Sequence, residues 1–268
     1  MIKNIIKKIE NNSSSLCLVD EPLKKHTTYG IGGPADLMIF PKSKKDLISV
    51  IEIINENKTN VTILGSGSNI LVSDNGIRGA VISLKKSLNE VRLNENILYA
   101  ECGAMLGKIV RLAVKNNLIG LENLNGVPGT LGGALIMNAG AWGGEISENL
   151  INVELINSKN ELKKVPKKDI NFSYRNSSFK NDDILLSAEF NLKKAKKDLI
   201  KENFSKAQIG RTSSQPIDKR SAGSLFKNPK NNSAGKLLDD AGLKGLIIGG
   251  AKISEKHANF FINEGNAS

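Results

Sequence analysis

The sequence predicts a mixed α+β protein built in layers, and three observations carry that expectation. Apolar residues recur at helical spacing in some stretches and form short, bounded runs in others. Strand and helix patterns alternate in the first half, while the middle of the chain is richer in strands. A glycine-dense stretch separates the two, with eight glycines from Gly120 to Gly144. Glycine loses more backbone freedom on folding than any other residue, so such a cluster marks tight turns or close approach of the backbone to a ligand. With 268 residues the chain can bury a substantial core, in one large domain or two modest ones.

The formal net charge of +11 raises the question of nucleic acid. Lysines, however, fall in twos along the whole chain, as at Lys7 and Lys8, Lys85 and Lys86, and Lys196 and Lys197, and only 4% of residues are aromatic. Dispersed charge without stacking rings argues against a nucleic-acid partner and suits a surface that attracts small anions. Two cysteines and two histidines offer neither a disulfide framework nor a metal-ligand spacing, so no metal site is expected. No apolar run reaches membrane-spanning length, and the first residues lack the features of a signal peptide. The expectation is a soluble, cytoplasmic protein with no membrane partner.

Taken in order, Ile2, Ile5, Ile6 and Ile9 share one face of an opening helix. Residues 37–40 read as a strand closed by Pro41. Ser43 and Asp46 then form a capping-box-like start for a helix carrying Leu47, Val50, Ile51 and Ile54. Residues 61–64 read as a second strand. The loop after it, Gly65, Ser66, Gly67, Ser68 and Asn69, lacks the third glycine of a dinucleotide fingerprint, since Ile70 stands there. It is either a plain turn or a strand-turn-strand nest for phosphate. Asn75 and Gly76 give a hairpin signal.

Further strands are expected at 97–102, 150–156, 162–165, 184–192, 246–253 and 259–262. Helices are expected around Ile109 and Val110, from Asp198 through Ala207, and from a Ser233 cap to Gly242. A turn to dense charge at residues 193–198 marks a candidate domain boundary.

Six segments in order, TYGIGGPAD, LGSGSNILVSDNGIRG, GVPGTLGGALIMNAGAWGGE, YRNSS, SAGSLFKNP and IGGAKISEKHANFFINEGNAS, resemble the UDP-N-acetylenolpyruvoylglucosamine reductases, the MurB family. The resemblance runs from about His26 to Ser268. It implies a vanillyl-alcohol-oxidase-type FAD-binding fold, also called PCMH-type, over residues 1–195, with subdomains of roughly 1–80 and 81–195. A smaller α+β substrate-binding domain would fill 196–268. The implied activity is reduction of UDP-N-acetylglucosamine enolpyruvate to UDP-N-acetylmuramate in peptidoglycan synthesis, with NADPH as hydride donor and non-covalent FAD as cofactor.

By the same resemblance Arg175 stabilises the developing enolate and Ser224 donates the proton, while Tyr174, Lys227 and Asn228 contact the UDP-sugar. FAD would lie against Ile31, Gly32 and Gly33, against Gly65, Ser66, Gly67, Ser68 and Asn69, and against Pro128, Gly129, Thr130, Gly132, Gly133, Asn138, Ala139 and Gly140. His26 and His257 are expected to be neither ligands nor flavin attachment points. Two departures stand out. The family's catalytic glutamate falls beyond the GNAS element, so the chain is expected to be truncated or impaired; Glu255 and Glu264 do not fill that place. Ser214 stands where some members carry a lysine, leaving Arg211, Lys219 or Arg220 to supply the charge. Another oxidoreductase of the same flavin fold, or a flavin-binding chain without turnover, are the alternatives.

Overall fold

The computed structural model describes residues 2–268. Helix α1 (Ile2–Asn12) buries Ile5 and Ile9, the face that the isoleucine spacing marks out. Strands β1 (Leu16–Pro22), β2 (Pro34–Phe40), β3 (Val61–Leu64) and β4 (Ile77–Ser83) form a sheet in the order β1-β2-β4-β3. Helix α2 (Lys44–Glu56) lies between β2 and β3 in sequence and begins as its cap predicts, Ser43 Oγ accepting from Asp46 N–H at 3.1 Å. The Asp46 carboxylate also accepts from Ser14 N–H at 3.1 Å and Ser14 Oγ–H at 2.9 Å.

Neighbouring residues of β2 and β4 face opposite cores. Leu37, Ile39, Ala80 and Ile82 pack against α1 and α2, while Met38 and Val81 pack with Leu23, Leu64 and Val72 on the other side. Burial on both faces explains why these strands read as unbroken apolar runs.

The expected hairpin at Asn75 and Gly76 does not form. Strand β4 runs parallel to both β2 and β3, and residues 70–72 make no strand. The chain must cross from β3 back to the sheet centre, so residues 65–76 become a crossing loop rather than a strand-turn-strand unit. Gly33 N–H holds that loop through Ser73 O at 2.9 Å, and a Cβ on Gly33 or Gly76 would collide with backbone of the opposing loop.

The second sheet has the order β11-β10-β14-β6-β5, from β5 (Val91–Asn94), β6 (Ile97–Glu101), β10 (Leu150–Ile156), β11 (Leu162–Pro166) and β14 (Ile184–Asn191), each antiparallel to its neighbour. Its core closes over α3 (Leu106–Lys115) and the short α4 (Leu131–Ile136). Ile156, Ile184 and Leu186 leave this sheet to join the core under α1 and α2, welding the two sheets together.

Small two-stranded pairings complete the layer. They pair β7 (Leu118–Ile119) with β15 (Lys193–Lys194), β8 (Gly140–Ala141) with β9 (Gly144–Glu145), and β12 (Phe172–Ser173) with β13 (Asn176–Ser177). Beyond them come α5 (Lys197–Ser214), α6 (Ala234–Asp240) and a sheet of β16 (Ile247–Ile248), β17 (Ala251–Ile253) and β18 (Phe261–Asn263). The single strand expected over 246–253 is therefore two. Gly249, at φ +56°, and Gly250 turn the chain back, because Gly250 must pass against Asn266 and Ala267 where a Cβ would clash.

Candidate functional site

The two glycine loops singled out in the sequence face each other. A Cβ on Gly65 would strike the Thr130 hydroxyl, and one on Gly129 would lie 3.3 Å from Ser68 Oγ. Only glycine at these positions lets the loops approach this closely, and Ser66 Oγ bonds Ser68 Oγ at 3.2 Å inside the first of them. Not every glycine serves that gap. A Cβ on Gly32 would lie 2.9 Å from Val72 Cβ and one on Gly67 would strike the His26 carbonyl, so these two let neighbouring turns close on each other. Ile31 is buried beside them. Gly133, by contrast, meets nothing within 4 Å.

The GVPGT stretch read as a turn continues into helix α4, whose first amides are already used. Leu131 N–H donates to Ala104 O and Gly132 N–H to Cys102 O, both at 2.9 Å. Ala139 N–H donates to Ala134 O at the far end of the same helix. Asn138 follows at φ +40° and is fully buried. Its Nδ2 donates to Glu145 Oε2 at 2.6 Å and to Ser173 O at 3.2 Å, while its Oδ1 meets no donor. A buried carbonyl oxygen without a donor, beside two closely approaching glycine loops, fits a cofactor that brings N–H groups and a diphosphate.

Tyr174 and Arg175 form the two-residue turn between β12 and β13, with Arg175 in the left-handed region at φ +54°. The guanidinium Nη2 donates to Gly140 O at 2.8 Å and lies 5.1 Å from the centre of the Tyr174 ring. No ion pair neutralises Arg175 among the described residues.

The Ser224 segment reaches the same place from the C-terminal sheet. Gly223 at φ +79° turns the chain; Ser224 bridges to Phe260, and Leu225 N–H donates to Asn259 O at 2.9 Å. The Asn259 side chain, 2% exposed, then clamps Phe226 from both sides, accepting from its N–H at 2.9 Å and donating to its carbonyl at 2.8 Å. Asn228 N–H meets Tyr174 Oη at 3.4 Å and Asn228 Oδ1 accepts from Ala234 N–H at 3.0 Å, tying the turn that carries Arg175 to the start of α6. Lys227 is exposed.

Three residues that hold this arrangement were not among the expected site residues. Thr28 Oγ1 donates to Ser221 O at 2.6 Å, and Asn263 Nδ2 donates to the Tyr29 carbonyl at 2.8 Å, so the C-terminal segment is fastened to the loop before β2. Asn259 is the third. Each is a short polar side chain within one of the recognised segments, and only its spatial partners reveal what it holds.

A polar cleft of about 360 Å³ opens at that seam, lined by Lys24, Thr27, Thr28, Gly30, Arg220 and Gly265. Arg211 lies elsewhere, on α5, its Cδ 3.0 Å from where a Gly126 Cβ would stand, and burial lowers its guanidinium pKa. Lys219 lies 4.0 Å from Glu264. His26 bonds Glu21 at 3.0 Å and His257 packs on Phe260, so neither points to a ligand. Among the described residues no metal-binding cluster is found, and no helix is long and apolar enough to cross a membrane.

Comparison with known proteins agrees with the geometry. An FAD binding domain family matches residues 35–165, and the UDP-N-acetylenolpyruvoylglucosamine reductase C-terminal domain family matches residues 215–268. The chain is 43% identical over 251 residues to the UDP-N-acetylenolpyruvoylglucosamine reductase of Caldanaerobacter subterraneus, covering 93% of this chain and 83% of that one. It is 46% identical over 262 residues to the reductase of Caldicellulosiruptor bescii, covering 96% and 82%. The crystal structure of the Thermus caldophilus reductase (MurB) superposes with a TM-score of 0.80 at 32% identity, over 94% of this chain and 89% of that one. A berberine bridge enzyme variant shares the fold alone, with a TM-score of 0.53 at 13% identity over 72% of this chain and 44% of that one. From the paired family matches and the extent of these identities, the chain belongs to the UDP-N-acetylenolpyruvoylglucosamine reductase family.

Proposed function

We propose that the chain is an FAD-dependent reductase that converts UDP-N-acetylglucosamine enolpyruvate to UDP-N-acetylmuramate with NADPH as donor. The observation that carries this reading is convergence. The facing glycine loops, the Arg175 turn and the Ser224 segment come from three separate parts of the chain and meet through Ser68–Gly129, Arg175–Gly140 and Asn228–Tyr174 contacts. Residues 1–195 are taken as the FAD-binding part and 196–268 as the substrate-binding part.

Bound FAD supplies the hydride relay between the nicotinamide and the terminal enolpyruvyl carbon. The protein's residues handle what remains, which is negative charge and one proton. Arg175 faces the carbon and carboxylate where that charge gathers. Its planar fork can keep one N–H on Gly140 O and offer others to the carboxylate. Ser224 gives the proton to the carbon next to the carboxylate. A hydroxyl is a weak acid, so its placement matters more than its acidity, and the Asn259 clamp fixes the backbone that carries it. Tyr174 and Asn228 bracket the sugar nucleotide between the two parts. Facing bare backbones at 65–69 and 129–133 receive the diphosphate of the cofactor.

The reading is tested by two half-reactions followed without oxygen. NADPH should bleach the flavin of the holoprotein, and the enolpyruvyl sugar nucleotide should restore its colour. Ser224→Ala should leave the first step intact and suppress the second. Protein that takes up no FAD, or a Ser224→Ala variant that loses both steps equally, overturns the assignment.

A further inference from the structure

The charge of Arg175 is useful to a substrate only while no internal carboxylate claims it. One stands within reach. A Cβ built on Gly140 would lie 3.0 Å from Glu145 Cγ and 3.2 Å from Arg175 Nη1, so the two side chains flank the same glycine, Glu145 from the paired strand and Arg175 from the β12–β13 turn. The carboxylate oxygens extend beyond Cγ, and a rotamer change would carry them onto the guanidinium. Arg–carboxylate pairs are strong and often bidentate, so such a pair would form unless something competed for the carboxylate.

Asn138 competes. Its Nδ2 binds Glu145 Oε2 at 2.6 Å, and the same nitrogen reaches Ser173 O at 3.2 Å, two residues before Arg175. Asn138 is 0% exposed and its backbone is fixed by N–H donation to Leu135 O at 3.2 Å, so the amide cannot swing out to solvent. The left-handed backbone at φ +40° aims the side chain into this gap; asparagine tolerates that conformation better than most residues.

We propose that Asn138 is a positioning residue for the substrate step: its buried amide latches the Glu145 carboxylate away from Arg175 and keeps the guanidinium's charge free for the anionic substrate. The inference rests on Arg175 acting at the substrate, as above. It assigns Glu145 a cost rather than a benefit. That separates it from a purely structural reading, in which Glu145 and Asn138 simply support one another.

The test is a rescue. Asn138→Gly suits the positive φ and removes the donor; Asn138→Leu removes the donor while filling the space. Either should slow flavin reoxidation by the enolpyruvyl sugar nucleotide, measured per bound flavin, about tenfold or more, approaching the loss of a preorganised donor. Adding Glu145→Gln should restore most of the rate, because a neutral amide cannot pair with Arg175. Glu145→Gln alone keeps an acceptor for Asn138 and should change the rate by no more than about twofold.

Substrate binding to oxidised holoprotein, read from the shift in flavin absorbance, should weaken and recover in the same pattern. This second measurement separates the latch from the assigned reaction. If the unaltered holoprotein fails to turn over, the reaction assignment fails, and the latch is judged on binding alone. The latch is overturned if Glu145→Gln by itself costs as much as the Asn138 variants or if the double variants recover nothing. It is also overturned if the Asn138 variants lose flavin and Glu145→Gln does not return it.

Discussion

Arg175 occupies a backbone conformation that most side chains avoid. A left-handed residue other than glycine carries a cost of about 1–2 kcal/mol, and two-residue hairpin turns favour Asn-Gly or Asp-Gly over Tyr-Arg. The turn is held instead by what its side chains touch, Gly140 O on one side and Asn228 N–H on the other. Arg175→Lys should therefore lose more than geometry. A lysine cannot hold the Gly140 carbonyl and grip a carboxylate in a planar fork, so the substrate step should fall by roughly 10²-fold. Flavin reduction should be spared, and rapid-mixing absorbance of the two half-reactions checks both. The identity of Arg175 was legible in YRNSS by resemblance. Its left-handed turn was not, because nothing in the dipeptide signals it. Asn259 and Glu145 stand inside the recognised segments, but their roles were illegible because each depends on a spatial partner, Phe226 for the one and the Asn138 side chain for the other.

Among the elements, α1 and α2 show how one carboxylate can join two pieces of the fold. Burial alone would raise the Asp46 carboxyl, but hydrogen bonds from Ser14 and Ser43 outweigh it and hold the pKa below the ordinary aspartate value. The folded state thus binds this proton less readily than the unfolded chain. The resulting stability is present above the unfolded pKa and is lost as pH falls through the folded one. Asp46→Asn should lower the denaturation midpoint at neutral pH and flatten its decline in acid, the two proteins converging only once pH falls below the folded-state pKa; urea melts from neutral pH into acid would show it. Gly65→Ala makes a second element-level case. Its Cβ would enter the Thr130 hydroxyl, forcing the two loops apart, and the variant should retain its fold while losing FAD affinity, read by flavin release on dilution. Most elements were legible, since the periodicities of α1, α2, α3 and β10 survive into the structure. The β3–β4 connection was not. Asn75 and Gly76 do make a turn, but strand direction is decided by which neighbours cover the sheet, and β4 had to enter between β2 and β3.

Across the whole molecule, distant parts are tied by few but well-placed bonds. Asn263 is buried and spans 234 positions to the Tyr29 carbonyl, while its Oδ1 gathers the N–H groups of Gly265 at 2.8 Å and Ala267 at 3.1 Å. Asn263→Ala would leave a buried carbonyl unpaired, a loss of about 1–3 kcal/mol. It should lower the urea midpoint, and it should slow the substrate step more than the flavin step because the Ser224 segment hangs from the same sheet.

Trp142 draws the middle of the chain to α5 in a similar way. The sole tryptophan stands at φ +52° at the tip of the β8–β9 hairpin, half-exposed, with its ring over Gly210, where a Cβ would come within 2.7 Å of Cζ3. An indole so placed is a built-in optical probe. Its emission wavelength reports how wet the hairpin tip is, and its quenching tracks an added yellow chromophore, so docking of the hairpin and loading of the protein can be followed in one cuvette with no label attached.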